Sequence, residues 1–269
     1  MTPASGGLST RVLRTTRTTP YGSEGRGYQV DSARKMSLLF GVLFTITFIT
    51  SIPALLLYGP VLDHSNYIVG AGADPRVEWG ALLEVLLIIS NIDTAVVLFP
   101  ILKWQNEWLA LGYVTARIME CVFIAVGILS VLSVVTLRKD FAGSGGADAA
   151  SFVTAGKSLI AIKDWTFLLG PGFVVGVGNG MILGYLMYRS GLMPRGLTML
   201  GLVGGPLVCI SGIAVILDVI DRQSTLQAIM TIPEILWELS LCIYPIVKGF
   251  KRSPVLMRYE AAEAAESPV

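Results

Sequence analysis

Charge is what this sequence has least of: Asp, Glu, Lys and Arg make up 14% of its 269 residues, against about 25% in ordinary soluble domains. A water-facing surface cannot be built from so few charges. The formal net charge of +1 leaves no strong overall field to recruit nucleic acid or an acidic partner. Histidine occurs once, as His64, between Asp63 and Asp74 in a polar connection. One imidazole with loop carboxylates makes a weak metal site, so a solvated loop residue is expected there, with no metal and no cofactor. The three cysteines, Cys121, Cys209 and Cys242, lie inside apolar stretches and none is spaced as CxxC. That argues against a disulfide framework or thiolate metal site, and reads them as small core residues. HExxH, Walker and GxSxG patterns are missing as well. A Ser-His hydrolase inside a membrane would need a histidine at depth, and a membrane aspartyl enzyme would need paired aspartates, whereas Asp93 and Asp218 fall at different depths.

What is plentiful is apolar, 53% of the chain. These residues gather into six blocks, roughly 36–58, 80–102, 109–137, 165–188, 197–219 and 228–250. A bilayer-spanning helix needs about 20 consecutive apolar residues, so each block can cross. Trp79, Trp104, Trp108 and Trp165 stand at block edges, where an indole prefers the headgroup region. The sequence thus predicts an all-α fold, a polytopic transmembrane bundle of six helices, in contact with the lipid bilayer. Its first block is too long for a cleaved signal segment and lacks a small-residue cleavage site. Three regions are expected: a disordered basic cytoplasmic tail over 1–35, a six-helix transmembrane domain over 36–250, and a cytoplasmic tail over 251–269.

Orientation follows from Lys and Arg in the connections. Thirteen of them (Arg11, Arg14, Arg17, Arg26, Arg34, Lys35, Lys103, Arg189, Arg195, Lys248, Lys251, Arg252 and Arg258) fall on the side of the tails. Six (Arg76, Arg138, Lys139, Lys157, Lys163 and Arg222) fall on the other. Both termini are therefore expected in the cytoplasm, at the inner (plasma) membrane. The 138–163 connection carries four of the six opposing charges.

Gly172, Gly176, Gly180 and Gly184 recur at four-residue spacing in the fourth block, which predicts a nearly bare backbone face for close helix packing. Gly201 and Gly205 suggest a second tight contact. The string Gly176-Val177-Gly178-Asn179-Gly180 superficially resembles a phosphate loop, but no strand precedes it.

Ionisable residues at membrane depth are expensive and are default functional candidates. Asp93, Asn179 and Glu238 each lie ten residues before a basic end, Lys103, Arg189 and Lys248, or about 15 Å deep. Arg117 and Glu120 fall at similar depth on the third helix. Matching heights in the hairpin of the second and third helices predict an ion pair between Asp93 and Arg117. Thr231, Glu234 and Glu238 share a face of the sixth helix. Glu84 and Asn91 face away from Asp93, so that either the second helix is enclosed on both sides, the favoured reading, or Glu84, near the outer end, points toward water. Asp93, Glu120 and Glu238 set three carboxyls against one guanidinium. Two readings remain open: interhelical glue centred on Arg117, or a protonatable or cation-binding site.

Four stretches carry a family resemblance: Ser90-Asn91-Ile92-Asp93 with the apolar run to Leu102-Lys103, Ala116-Arg117-Ile118-Met119-Glu120, the run from Gly184 to Arg195, and Trp237-Glu238-Leu239 ahead of Lys248-Gly249. The Tyr188-Arg189-Ser190-Gly191 turn closing on Pro194-Arg195 is the most specific. Over roughly residues 33–252 the chain resembles the bacterial six-helix membrane family catalogued as domain of unknown function 4386. The resemblance implies the same six-helix fold and carries no activity with it.

Three functions fit these residues. The first is a protein that binds or moves a small solute, cation or proton at the buried layer. Six helices without an internal repeat fall short of the inverted-repeat transporter design, which makes a homodimer the natural complement. The second, a minority reading, is an enzyme on a lipid-like substrate with Glu120 or Glu238 as acid or base. A non-catalytic membrane assembly factor, supported by the glycine face, is the third. The sequence leaves the ligand open.

Overall fold

The computed structural model describes residues 24–63, 66–70, 72–145 and 148–266, with side chains from residue 32 onward. Residues 1–23 of the expected tail, and His64, lie outside the described residues. In chain order the helices are α1 (Glu24–Leu57), the short α2 (Gly59–Leu62), α3 (Asp74–Leu102), α4 (Glu107–Gly143) and α5 (Ala149–Phe167). Two π-helical stretches, Leu168–Val174 and Gly176–Leu183, then lead into α6 (Gly184–Ser190). Finally come α7 (Arg195–Ile216), α8 (Thr225–Val247) and α9 (Pro254–Glu266).

Six continuous helical segments among the described residues are long and apolar enough to cross a membrane: Ser32–Leu57, Asp74–Leu102, Glu107–Gly143, Ala149–Ser190, Arg195–Ile216 and Thr225–Val247. In hydrocarbon every backbone polar group must be satisfied within the segment, which leaves helix as the form for such stretches. The protein is an all-α, multi-pass transmembrane bundle. Ile49, Leu56, Ile89, Leu129, Ile229 and Ile243 point outward, as lipid-facing side chains do.

Several boundaries differ from the sequence reading. Helix α1 starts at Glu24, twelve residues before the expected start at Met36. The expected C-terminal tail contains α9, whose Val255 and Leu256 are buried and whose Glu263 accepts a 2.8 Å hydrogen bond from Ser32. The fourth span begins at Ala149 rather than at 165, so Lys163 lies within a helix. Capping side chains start two of the helices: Asn106 accepts from the Leu109 amide at 3.0 Å at the start of α4, and Ser224 accepts from the Gln227 amide at the start of α8.

The apolar core is split in two. One cluster, with Phe40, Leu98, Leu102, Tyr113, Leu186 and Trp237, sits toward the α3–α4 turn. The other, with Tyr58, Val61, Val77, Val131 and Val134, sits at the opposite end. On α3 the buried residues between the clusters are Ser90, Asn91 and Thr94, and on α4 they are Arg117, Glu120 and Cys121. A polar layer therefore crosses the middle of the bundle.

The π-helical stretches begin where Pro171 lacks an amide donor and glycines weaken the α-helix. Gly176 and Gly180 press on α7: a Cβ at Gly176 would lie 2.8 Å from the Gly205 carbonyl oxygen, and one at Gly180 would lie 2.8 Å from the Gly205 amide nitrogen. A Cβ on Gly184 would lie 3.3 Å from the Leu202 amide nitrogen. Gly172 faces a cavity instead, because i→i+5 bonding widens the turn and breaks the strict four-residue face.

Candidate functional site

At the centre, Arg117 on α4 is 2% exposed. Its guanidinium donates to Glu120 at 2.7 Å and to the Asn91 side-chain oxygen. Asn91 in turn donates to the other Glu120 oxygen at 3.0 Å. The three side chains close a ring, and Phe44 covers the guanidinium with its ring centroid 5.6 Å away. The ion pair and the three hydrogen bonds offset much of the cost of burying the charge, with Arg117 Nε left unpartnered.

The expected Arg117–Asp93 pair is not formed. Asp93 is half-buried and makes no ion pair among the described residues. Two residues along α3 turn the side chain by about 200°, so the helix that brings Asn91 to Arg117 carries Asp93 away from it. Glu84, seven residues before Asn91, shares the Asn91 face and is buried. The enclosed reading of α3 thus holds for Glu84, while Asp93 leaves the layer.

Glu84 forms a second buried pair that the sequence reading missed. Lys163 on α5 donates to both Glu84 oxygens, at 2.7 and 2.9 Å, and Tyr58 donates to Glu84 at 2.9 Å. The ammonium also sits 4.9 Å from the Tyr58 ring centroid. Burial, with the Glu84 carboxylate beside it, pushes the Tyr58 phenol above its ordinary range, so Tyr58 remains a donor. The signal for Lys163 was the basic excess of the 138–163 connection against the charge rule.

The third group lies on α8. Asn179 donates to Glu238 at 2.6 Å, and the Trp237 indole donates to the Asn179 backbone carbonyl at 2.9 Å. Glu234, one turn before Glu238, is 3% exposed, and neither of its carboxyl oxygens has a hydrogen-bond partner. Glycines make the room for it. Its Oε2 lies 2.7 Å from where a Cβ on Gly180 would stand and 2.8 Å from the same point on Gly204. Arg117 Nε, Asn179 Oδ1 and the Tyr113 hydroxyl are also buried and unpartnered.

Two adjoining cavities reach these groups. The larger, about 610 Å³, has Glu234 and Glu238 in its wall and extends to Asp164, Arg222, Gln223 and Gln227. The smaller, about 220 Å³, touches Glu84, Asn91, Arg117 and Glu120. Leu55, Phe167, Pro171, Val175 and Glu238 border both. Along the two walls stand five carboxyls, Glu84, Glu120, Asp164, Glu234 and Glu238, and three bases, Arg117, Lys163 and Arg222. Each base is already held, Arg117 by Glu120, Lys163 by Glu84 and Arg222 by Asp164 at 2.5 Å. The acidic excess is therefore the α8 pair.

No three His, Cys, Asp or Glu residues among the described ones stand close enough to hold a metal ion, and the three cysteines are free and buried. A family described as Domain of unknown function (DUF4386) matches residues 39–249. No curated protein and no solved structure matches the chain.

Proposed function

The chain belongs to that DUF4386 family, whose description carries no activity across, and from the site itself we propose that this membrane protein binds a small solute or cation at Glu234 and Glu238. One observation carries the reading: Glu234, 3% exposed, stands in the wall of a cavity of about 610 Å³, and both of its carboxyl oxygens are buried without a hydrogen-bond partner. Ligand pockets typically run about 300–1,000 Å³ with few converging polar groups. A buried carboxyl without donor or counter-charge needs a proton or a cation. Glue between helices accounts for Arg117, Asn91 and Glu120, whose bonds close on one another, and leaves Glu234 unexplained.

The charge count supports both termini in the cytoplasm of a plasma membrane. Six basic residues stand opposite the thirteen, and one of the six, Lys163, is buried against Glu84.

Thermal unfolding of the purified protein across sodium, potassium, ammonium, primary amines, quaternary cations and neutral and anionic solutes tests the reading. Stabilisation by at least one positively charged class, lost in Glu234→Gln, is expected. Stabilisation by no cation, or by one that Glu234→Gln leaves intact, contradicts it.

A further inference from the structure

We infer that the ligand is a hydrophobic organic monocation, which enters sideways from the bilayer between α1 and α8 and sets its positive charge against Glu234. This rests on the carboxyl pair being the binding site.

The cavity's composition separates this class from a hydrated metal ion. Magnesium and calcium sites use about six or more oxygen ligands, whereas no three His, Cys, Asp or Glu among the described residues stand close enough to hold a metal ion, Asp164 is held by Arg222, and Glu234 and Glu238 share the cavity with Leu55, Phe167, Leu168, Phe173 and Ile235. That wall suits an apolar body, and Phe167 and Phe173 supply ring faces of the kind that attract organic cations. The volume of about 610 Å³ would leave a bare ion mostly unaccompanied.

The charges around Glu234 point the same way. On its own helix it faces Glu238, which already accepts from Asn179. Helix α7 brings Gly204 and Cys209, and the π-helical stretch brings Gly180. Farther along the cavities stand Arg117 and Glu120 on α4, Glu84 on α3, Lys163 and Asp164 on α5, and Arg222 ahead of α8. Every base among them is paired with a carboxylate. An anion would meet excess carboxyls and no free cation.

The route follows from how α1 and α8 lie. They pack closely near the α3–α4 turn, where a Cβ on Gly41 would stand 2.7 Å from Ile246 and Ser37 donates to the Pro245 carbonyl at 3.0 Å. Toward the opposite end Leu55 of α1 and Ala228, Thr231 and Ile235 of α8 stand on the cavity wall. Leu55, Phe167 and Ile235 are 45%, 47% and 44% exposed, so the wall continues onto the outward surface beside Ile52, Leu56 and Ile232. A hydrophobic cation concentrated in the bilayer would reach Glu234 without crossing the Asp164–Arg222 pair.

The test uses tetraphenylphosphonium and tetraphenylborate, ions of the same shape and opposite charge. Calorimetric titration of the full chain in detergent, with protein-free micelles subtracted, should show saturable tetraphenylphosphonium binding, at least tenfold weaker in Glu234→Gln, and no saturable binding of tetraphenylborate. Equal binding of the two ions, or tetraphenylphosphonium binding that Glu234→Gln leaves unchanged, overturns the inference. If Glu234→Gln does not fold, the contrast between the two ions on the unaltered protein decides. Stabilisation by sodium or potassium that depends on Glu234, with no tetraphenylphosphonium binding, overturns the ligand class and leaves the binding site standing.

Discussion

Glu234 and Gly180, on different spans, meet so closely that the carboxyl oxygen Oε2 occupies space where any side chain at position 180 would begin, 2.7 Å from an ideal Cβ. The glycine there makes room for an acid, and the same residue lets the π-helical stretch lie on α7 at Gly205.

Gly180→Ala should therefore damage both functions at once. Overpacking a filled site typically costs about 1–3 kcal/mol, and a leucine at Gly176 or Gly180 should cost more, cutting the yield of folded protein. Gly196→Ala is the control, since a Cβ there meets nothing within 4 Å. Monodisperse yield and thermal unfolding in detergent check this, and normal values for both bulky variants would mean that the two helices are not in contact.

Arg117 should couple to Glu120 and Asn91 and be indifferent to Asp93. Breaking a buried pair from one side costs about 3–5 kcal/mol, so Arg117→Leu should destabilise strongly. Adding Glu120→Leu should recover part of the loss, and adding Asp93→Leu should recover none. Double-mutant cycles on unfolding midpoints separate the two.

Lys163→Met should be as damaging as a core substitution, although its position looks like a loop from sequence alone. It leaves Glu84 with Tyr58 as its remaining hydrogen-bond partner. Lys163→Met with Glu84→Gln should be more stable than Lys163→Met alone, again by unfolding midpoint.

How much was legible in the sequence depended on what each pattern measured. Long apolar blocks report directly on spanning, and all six appear as helices. Depth along a helix was also readable, which is why Arg117, Glu120, Asn179 and Glu238 fall in one layer. Facing was harder. Asp93 has the right depth but lies about 200° around α3 from Asn91, and rotation decides partners. Lys163 escaped because hydropathy dropped before Trp165 while the helix continued, with its charge neutralised by Glu84 from another span. Glycines four apart predicted a flat face, and the π-helical turns that remove Gly172 from it have no simple sequence signature.

Cation binding should weaken as pH falls. A proton and a cation compete for the same carboxyl, so the sign follows from mass action: more protons, fewer sites free. Titrating tetraphenylphosphonium at successively lower pH checks the direction, and affinity that rises on acidification contradicts a shared carboxyl.

Orientation is tested by reporter fusions, with those after residues 60 and 222 expected outside and those after 103, 195 and 252 inside. An inside signal for the first connection would reverse the assignment.

Chemical labelling tests directly whether Glu234 or Glu238 is the group that meets the ligand. A hydrophobic carbodiimide adds to protonated carboxyls in apolar surroundings to leave a stable acylurea, and peptide mass spectrometry locates it. Modification is expected at Glu234 or Glu238, suppressed by the cation that stabilises the protein against heat. Modification confined to other carboxyls, or undiminished at Glu234 and Glu238 in that cation's presence, would contradict it.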